Sequence, residues 1–169
     1  HYPGATGVNL SLDFYEEMAG HPQCLGVKFT SMNLFEMQQI RARCGDDFLI
    51  YNGHDEVYAG GVVMGADGAI GSTFNMMPHL FSEIFAKAVR GEWNALPGIQ
   101  AQANEVISHM LRYDVIPYEK YICYLQGWFK TAKTRQPLKQ LSMTERGEIE
   151  RFYLQNQVLQ MSSRGARQR

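Results

Sequence analysis

The sequence predicts an α/β fold: a parallel sheet in the first part of the chain, then a region made wholly of helices. Three observations carry this expectation. β-rich runs at residues 25–30, 48–51 and 69–73 are interleaved with helical-period segments, the strand, loop, helix, strand rhythm of βαβ units. Beyond Pro78 the apolar spacing is helical throughout. The 169 residues are 45% hydrophobic, which supplies the apolar material for a sizeable core.

Taken in order, a first helix is expected over 12–19, with Ser11 as N-cap, Asp13 in the first turn and Gly20-His21-Pro22 ending it. Residues 25–30 read as a buried strand containing one lysine, Lys28. Asn33 and Glu36 make an N-x-x-E start to a helix that carries Leu34, Met37 and Ile40 on one face and stops near Gly45. A second strand at 48–51, a loop at 52–56, a helix over 57–64 closed by Gly65 and a third strand at 69–73 follow. Pro78 suits the first turn of a helix running to about Arg90, with Gly91 ending it. The longer segment 93–113 keeps Ile99, Ala103, Val106, Ile107 and Met110 in helical register. Pro117 precedes an aromatic-rich helix over 118–130, whose Tyr118, Tyr121, Tyr124 and Trp128 read as core or subunit contacts. Ser142 and Glu145 form the capping box of a last helix with Ile149, Phe152 and Leu159 on its apolar side. The polar, basic stretch 161–169 is expected to be disordered.

Charge and cysteine usage exclude several classes of partner. Sixteen Lys and Arg against seventeen Asp and Glu leave a net charge of −1, with Arg164, Arg167 and Arg169 gathered at the end. No basic stripe is available for a phosphate backbone, so no nucleic-acid partner is expected. The longest nearly uncharged apolar stretch, 60–66, is far shorter than the roughly 20 residues that cross a bilayer, so no membrane partner is expected either. Cys24, Cys44 and Cys123 are odd in number and lack C-x-x-C spacing, and no secretory n-region and h-region open the chain. Reduced thiols, buried or inert, in a cytoplasmic protein are the corresponding expectation. The chain opens His1-Tyr2-Pro3-Gly4, as a processed protein or a fragment would. An open sheet of three parallel strands has two exposed edges, and a whole (β/α)8 barrel takes roughly 250 residues, so the pattern reads as the last part of something larger.

Three places have the residue types that chemistry needs. Lys28 lies in an apolar strand, where desolvation would lower its pKa and favour the neutral amine that attacks a ketone; alternatively it snorkels to water. Tyr51-Asn52-Gly53-His54-Asp55-Glu56 sits at the carboxyl end of a strand, where parallel α/β folds bind ligands. Its two carboxylates suit the hydroxyls of a polyol, or each simply places negative charge at a helix start, while His54 alone reads as a loop residue. Gly68-Ala69-Ile70-Gly71-Ser72-Thr73 ends a strand in small residues and offers two hydroxyls, or is only a tight turn. No second histidine or carboxylate stands at ligand spacing on a shared helix face, so neither a metal nor another cofactor is expected.

Together, and in this order, these segments resemble the pyruvate-dependent aldolases of the N-acetylneuraminate lyase and dihydrodipicolinate synthase family, from residue 1 to about residue 160. Gly26-Val27-Lys28-Phe29-Thr30-Ser31 is similar to the family's sixth barrel strand with its Schiff-base lysine. Tyr51-Asn52-Gly53-His54-Asp55-Glu56 is similar to the end of the seventh strand in sialic acid lyases, and the segment 65–75 to the eighth strand and its exit loop. The resemblance implies the carboxyl-terminal portion of a (β/α)8 TIM barrel, strands 6 to 8, over 1–78. The last barrel helix and a helical region would occupy 79–160, and a basic tail 161–169. It implies a class I aldolase that cleaves N-acetylneuraminate to N-acetylmannosamine and pyruvate. In that reading Lys28 forms the imine, and Thr30, Gly53, Asp55, Glu56 and Ser72 bind the sugar; the full-length enzyme would be a homotetramer. The family's catalytic tyrosine would fall just before His1 and its carboxylate-gripping Gly-rich threonine loop earlier still. A fragment, inactive by itself, is therefore expected. A related aldolase for another 2-oxo acid would keep Lys28 and dispense with the Asp55-Glu56 pair; a non-catalytic oligomerisation module would use only the helices.

Overall fold

The structure, a computed structural model, describes residues 1–166, with side chains described through residue 163. The chain divides into two compact units: His1–Gly71 with Glu83–Gln100, and Ser72–Ser82 with the residues from Ala101 onward.

The first unit is built on β1 (Gly26–Phe29), β2 (Leu49–Asn52) and β3 (Gly68–Ala69), a parallel sheet in the order β1-β2-β3. Its helices begin with the short α1 (Pro3–Thr6), which periodicity does not reveal, and α2 (Leu12–Ala19), where the Ser11 hydroxyl accepts from Phe14 N at 3.2 Å. They continue with α3 (Leu34–Cys44), where Asn33 Oδ1 accepts from Glu36 N, and α4 (Tyr58–Val63). Phe29, Ile50, Met37, Ile40 and Tyr15 close one core on one face of the sheet. Strand period explains this: Lys28, Tyr51 and Gly68 are register partners on the opposite face. His1 lies along the free side of β1, donating to Lys28 O at 2.9 Å and accepting from Thr30 N at 2.8 Å.

Two expectations change here. β3 is only two residues long instead of 69–73; its last ladder bond is Ile70 N to Asn52 O at 3.0 Å, after which the chain turns inward and Ser72–Asn75 forms a 3-10 turn. The helix expected over 57–64 is a 3-10 turn, Asp55–Val57, leading into α4.

At the amino ends of the strands, Arg41 of α3 is the tie. Its guanidinium donates to the carbonyls of Gly65, Gly45 and Phe48 and pairs with the Asp67 carboxylate, which also accepts from Ile50 N at 2.7 Å. Removing the guanidinium strands several carbonyls and a carboxylate at once. Arg41→Ala is expected to lower stability by about 2–4 kcal/mol, read as a shift in the urea midpoint, with Arg41→Lys recovering only part because one ammonium does not reproduce the fork.

The second unit is helical. α5 (Pro78–Val89) and α6 (Leu96–Met110) contribute residues to both units, and α7 (Val115–Leu125), α8 (Met143–Gln155) and α9 (Gln157–Ala166) belong to this one. α7 starts before Pro117, whose missing N–H falls among the first-turn amides that lack helical partners, and Gly127 at φ 86° turns the chain out well before residue 130. The capping box at Ser142 and Glu145 forms as expected. The single last helix is two, broken at Asn156, whose side chain accepts from Leu159 N at 3.1 Å and so opens α9. Residues 161–166 are helical, which corrects the expectation of disorder that far; 167–169 lie outside the described residues. His109 stacks on Phe152 at 3.7 Å and bonds the Tyr118 hydroxyl at 2.9 Å inside this unit.

All three cysteines are free, Cys123 buried and Cys24 and Cys44 half-buried. Burial pushes the Cys123 thiol up to about 11 and raises Cys44 as well, so neither is thiolate at neutral pH. Among the described residues no helix is long and apolar enough to cross a membrane.

Candidate functional site

The carboxyl ends of the three strands bring the residues of interest in the first unit together through close backbone approaches. Thr30, directly after β1, is buried and packs against Gly53, directly after β2, so tightly that a Cβ at Gly53 would occupy the place of the Thr30 side chain. Gly53 N donates to Phe29 O at 2.8 Å, extending the parallel ladder to this point. After β3, Gly71 passes so close to the Asp55 carboxyl that a Cβ there would overlap it. Glycine is required at both positions by contact, not by a left-handed backbone.

The turn between Gly53 and α4 presents the two acids differently. Asp55 is 6% exposed and faces the β3 exit. Glu56 is half-buried and stands 3.4 Å from His54 Nδ1, whose ring meets Tyr2 edge-on at 6.2 Å. His54 thus lies in the turn after β2, beside Glu56 and Tyr2. Asn52, fully buried below the turn, donates to His54 O at 2.6 Å. Tyr58, next along, is pushed up to about 12 by burial, so its hydroxyl stays protonated throughout the neutral range.

Lys28 lies on the sheet face away from the core, one residue before the strand end and in register with Tyr51. The Tyr51 ring in turn leans over Gly68. Within this chain the Lys28 side chain is exposed, on the sheet face that the apolar core leaves uncovered. Ser72 belongs to the second unit, where it is exposed and opens the 3-10 turn, its carbonyl accepting from Asn75 Nδ2 at 2.9 Å. The structure thus groups Thr30 with Gly53 and Asp55 with Gly71 around the sheet that presents Lys28. Among the described residues, no group of three or more His, Cys, Asp or Glu is placed to hold a metal ion.

Gln100 is the residue that sequence reasoning missed. Its buried amide accepts from Ala59 N and donates to Asp55 O, both at 2.9 Å. The available signal was a glutamine directly after Ile99 and three residues before Ala103, on the apolar side of α6, but its partners lie 41 and 45 residues away.

Comparison with known proteins agrees with this layout. The chain is 36% identical over 135 residues to N-acetylneuraminate lyase 2 of Escherichia coli O6:H1, covering 80% of this chain and 44% of that protein. It is 37% identical over 136 residues to N-acetylneuraminate lyase of Enterobacter sp., covering 80% and 45%. The chain spans about half the length of the curated relatives it matches. The crystal structure of N-acetylneuraminate lyase from Fusobacterium nucleatum superposes with a TM-score of 0.82 at 30% identity, covering 90% of this chain and 52% of that one. The Ruminococcus gnavus sialic acid aldolase superposes with a TM-score of 0.86 at 27% identity, covering 98% and 55%. Dihydrodipicolinate synthase from Aquifex aeolicus, at 20% identity and a TM-score of 0.85, shares the fold. The model of the Dihydrodipicolinate synthetase family matches residues 1–156 of this chain, and the chain belongs to that family.

Proposed function

We propose that the chain is the carboxyl-terminal part, strands 6 to 8 and the following helices, of a TIM-barrel class I aldolase that cleaves N-acetylneuraminate to N-acetylmannosamine and pyruvate. The observation that carries this reading is one sheet presenting Lys28 from β1 beside strand ends that hold Thr30, Gly53 and Asp55. Relatives named N-acetylneuraminate lyase at 33–37% identity support the substrate.

The chemistry follows from an amine facing an open-chain 2-oxo sugar acid. Lys28 Nζ adds to the C2 ketone, and loss of water leaves an iminium. A base removes the C4 hydroxyl proton, the C3–C4 bond breaks, and its electron pair passes into the iminium as an enamine while N-acetylmannosamine departs as the aldehyde. Protonation at C3 and addition of water release pyruvate and restore the amine. Thr30, the Gly53 backbone, Asp55, Glu56 and Ser72 are read as holding the hydroxyls of the sugar. Neither metal nor organic cofactor enters these steps. The working enzyme is read as a cytoplasmic homotetramer.

Expression of the complete reading frame tests the proposal: N-acetylneuraminate should yield equimolar N-acetylmannosamine and pyruvate, and a protein that binds pyruvate yet leaves this substrate intact would point to another 2-oxo acid. The family's proton-relaying tyrosine would precede His1, so residues 1–169 expressed alone are expected to release no pyruvate; general acid-base help is typically worth about 10²- to 10⁴-fold. Measurable turnover by that chain would contradict the fragment reading.

A further inference from the structure

We infer that Gln100 is a positioning residue for polyol recognition, acting through the turn that carries Asp55 and Glu56; the inference rests on the lyase reading above. The turn needs outside help. α4 begins after Val57, an apolar residue that makes no side-chain cap, so the Ala59 amide takes its acceptor from another element. Gln100 Oε1 supplies one to Ala59 N, while its Nε2 binds Asp55 O, the same carbonyl that accepts from Tyr58 N. One buried amide thereby clamps both ends of the stretch from Asp55 to Ala59.

The geometry makes this more than a generic core contact. A glutamine amide has one acceptor and one donor group to offer, and here each meets one backbone group of the turn. Asp55 is held from three sides: its carbonyl by Gln100 and by Tyr58, its carboxyl by the approach of Gly71. Freed of Gln100, the 3-10 turn can relax towards a regular helix start, which swings the Asp55 and Glu56 side chains while leaving β1 and Lys28 untouched. Both of these Gln100 bonds reach the turn that carries Asp55 and Glu56, so its loss should appear in substrate selection and not in imine formation.

The test uses the complete protein with Gln100→Met, which keeps the volume and removes both hydrogen bonds, and Gln100→Glu, which keeps the acceptor and removes the donor. KM for N-acetylneuraminate should rise about 10-fold or more in Gln100→Met and less in Gln100→Glu, with kcat and the KM for a 2-oxo acid lacking the polyol tail within about threefold of wild type. Borohydride trapping of pyruvate should be unchanged, and the Ala59 amide should exchange faster with solvent. Equal losses on both substrates, unchanged selectivity with intact folding, or failure of both variants to fold would overturn the inference and leave Gln100 a structural residue. A wild-type protein that does not cleave N-acetylneuraminate would instead overturn the lyase reading and this inference with it.

Discussion

In the complete protein, Lys28→Ala is expected to abolish carbon–carbon cleavage, with kcat falling about 10³-fold or more, because the covalent route is lost and not merely weakened. Lys28→Arg should be as inactive although it keeps the charge, since a guanidinium does not become a neutral nucleophile near neutral pH. Folding should be nearly unaffected: the side chain lies on the sheet face opposite the Phe29 and Ile50 core, so its removal leaves that core intact. Steady-state pyruvate release and the thermal midpoint together check this. A Lys28→Ala protein with more than a tenth of wild-type activity would move the chemistry to another residue.

Asp55→Ala is expected to reduce kcat/KM for N-acetylneuraminate about 10²-fold while changing the rate on a shortened 2-oxo acid by less than about threefold. A buried carboxyl facing hydroxyls discriminates strongly because a substrate lacking them leaves it without partners. The alternative, that Asp55 mainly supplies charge to the start of the helix, predicts equal losses on both substrates together with lower stability. Gly71→Ala offers a second route to the same outcome: its methyl would displace the Asp55 carboxyl without removing it. Selectivity should fall in both variants.

What the sequence made legible was the structure written in neighbouring residues. Ser11 and the Ser142–Glu145 capping box are read correctly because donor and acceptor lie three positions apart. β1 and β2 are legible because apolar residues alternate or cluster within a single strand length. Distant contacts were not. β3 looks five residues long by composition, yet it ends where Gly71 must pass the Asp55 carboxyl, a neighbour from another element. The exposure of Lys28 depends on which sheet face the helices cover, which an apolar run does not encode when both faces read alike. Gln100, Arg41 and Asp67 act on groups that lie 41, 24 and 17 residues away, so their residue types alone carry no sign of their roles. The break at Asn156 was missed for a different reason: helical periodicity continues on both sides of it, and only the side-chain bond to Leu159 N marks the restart.

Every step of the proposed chemistry depends on imine formation at Lys28. The most direct measurement is borohydride reduction of the complete protein in the presence of pyruvate, followed by peptide mass analysis. One pyruvate-derived addition is expected, located on the peptide containing Lys28 and absent from Lys28→Ala; an addition on any other lysine, or one that survives that substitution, would assign the imine elsewhere.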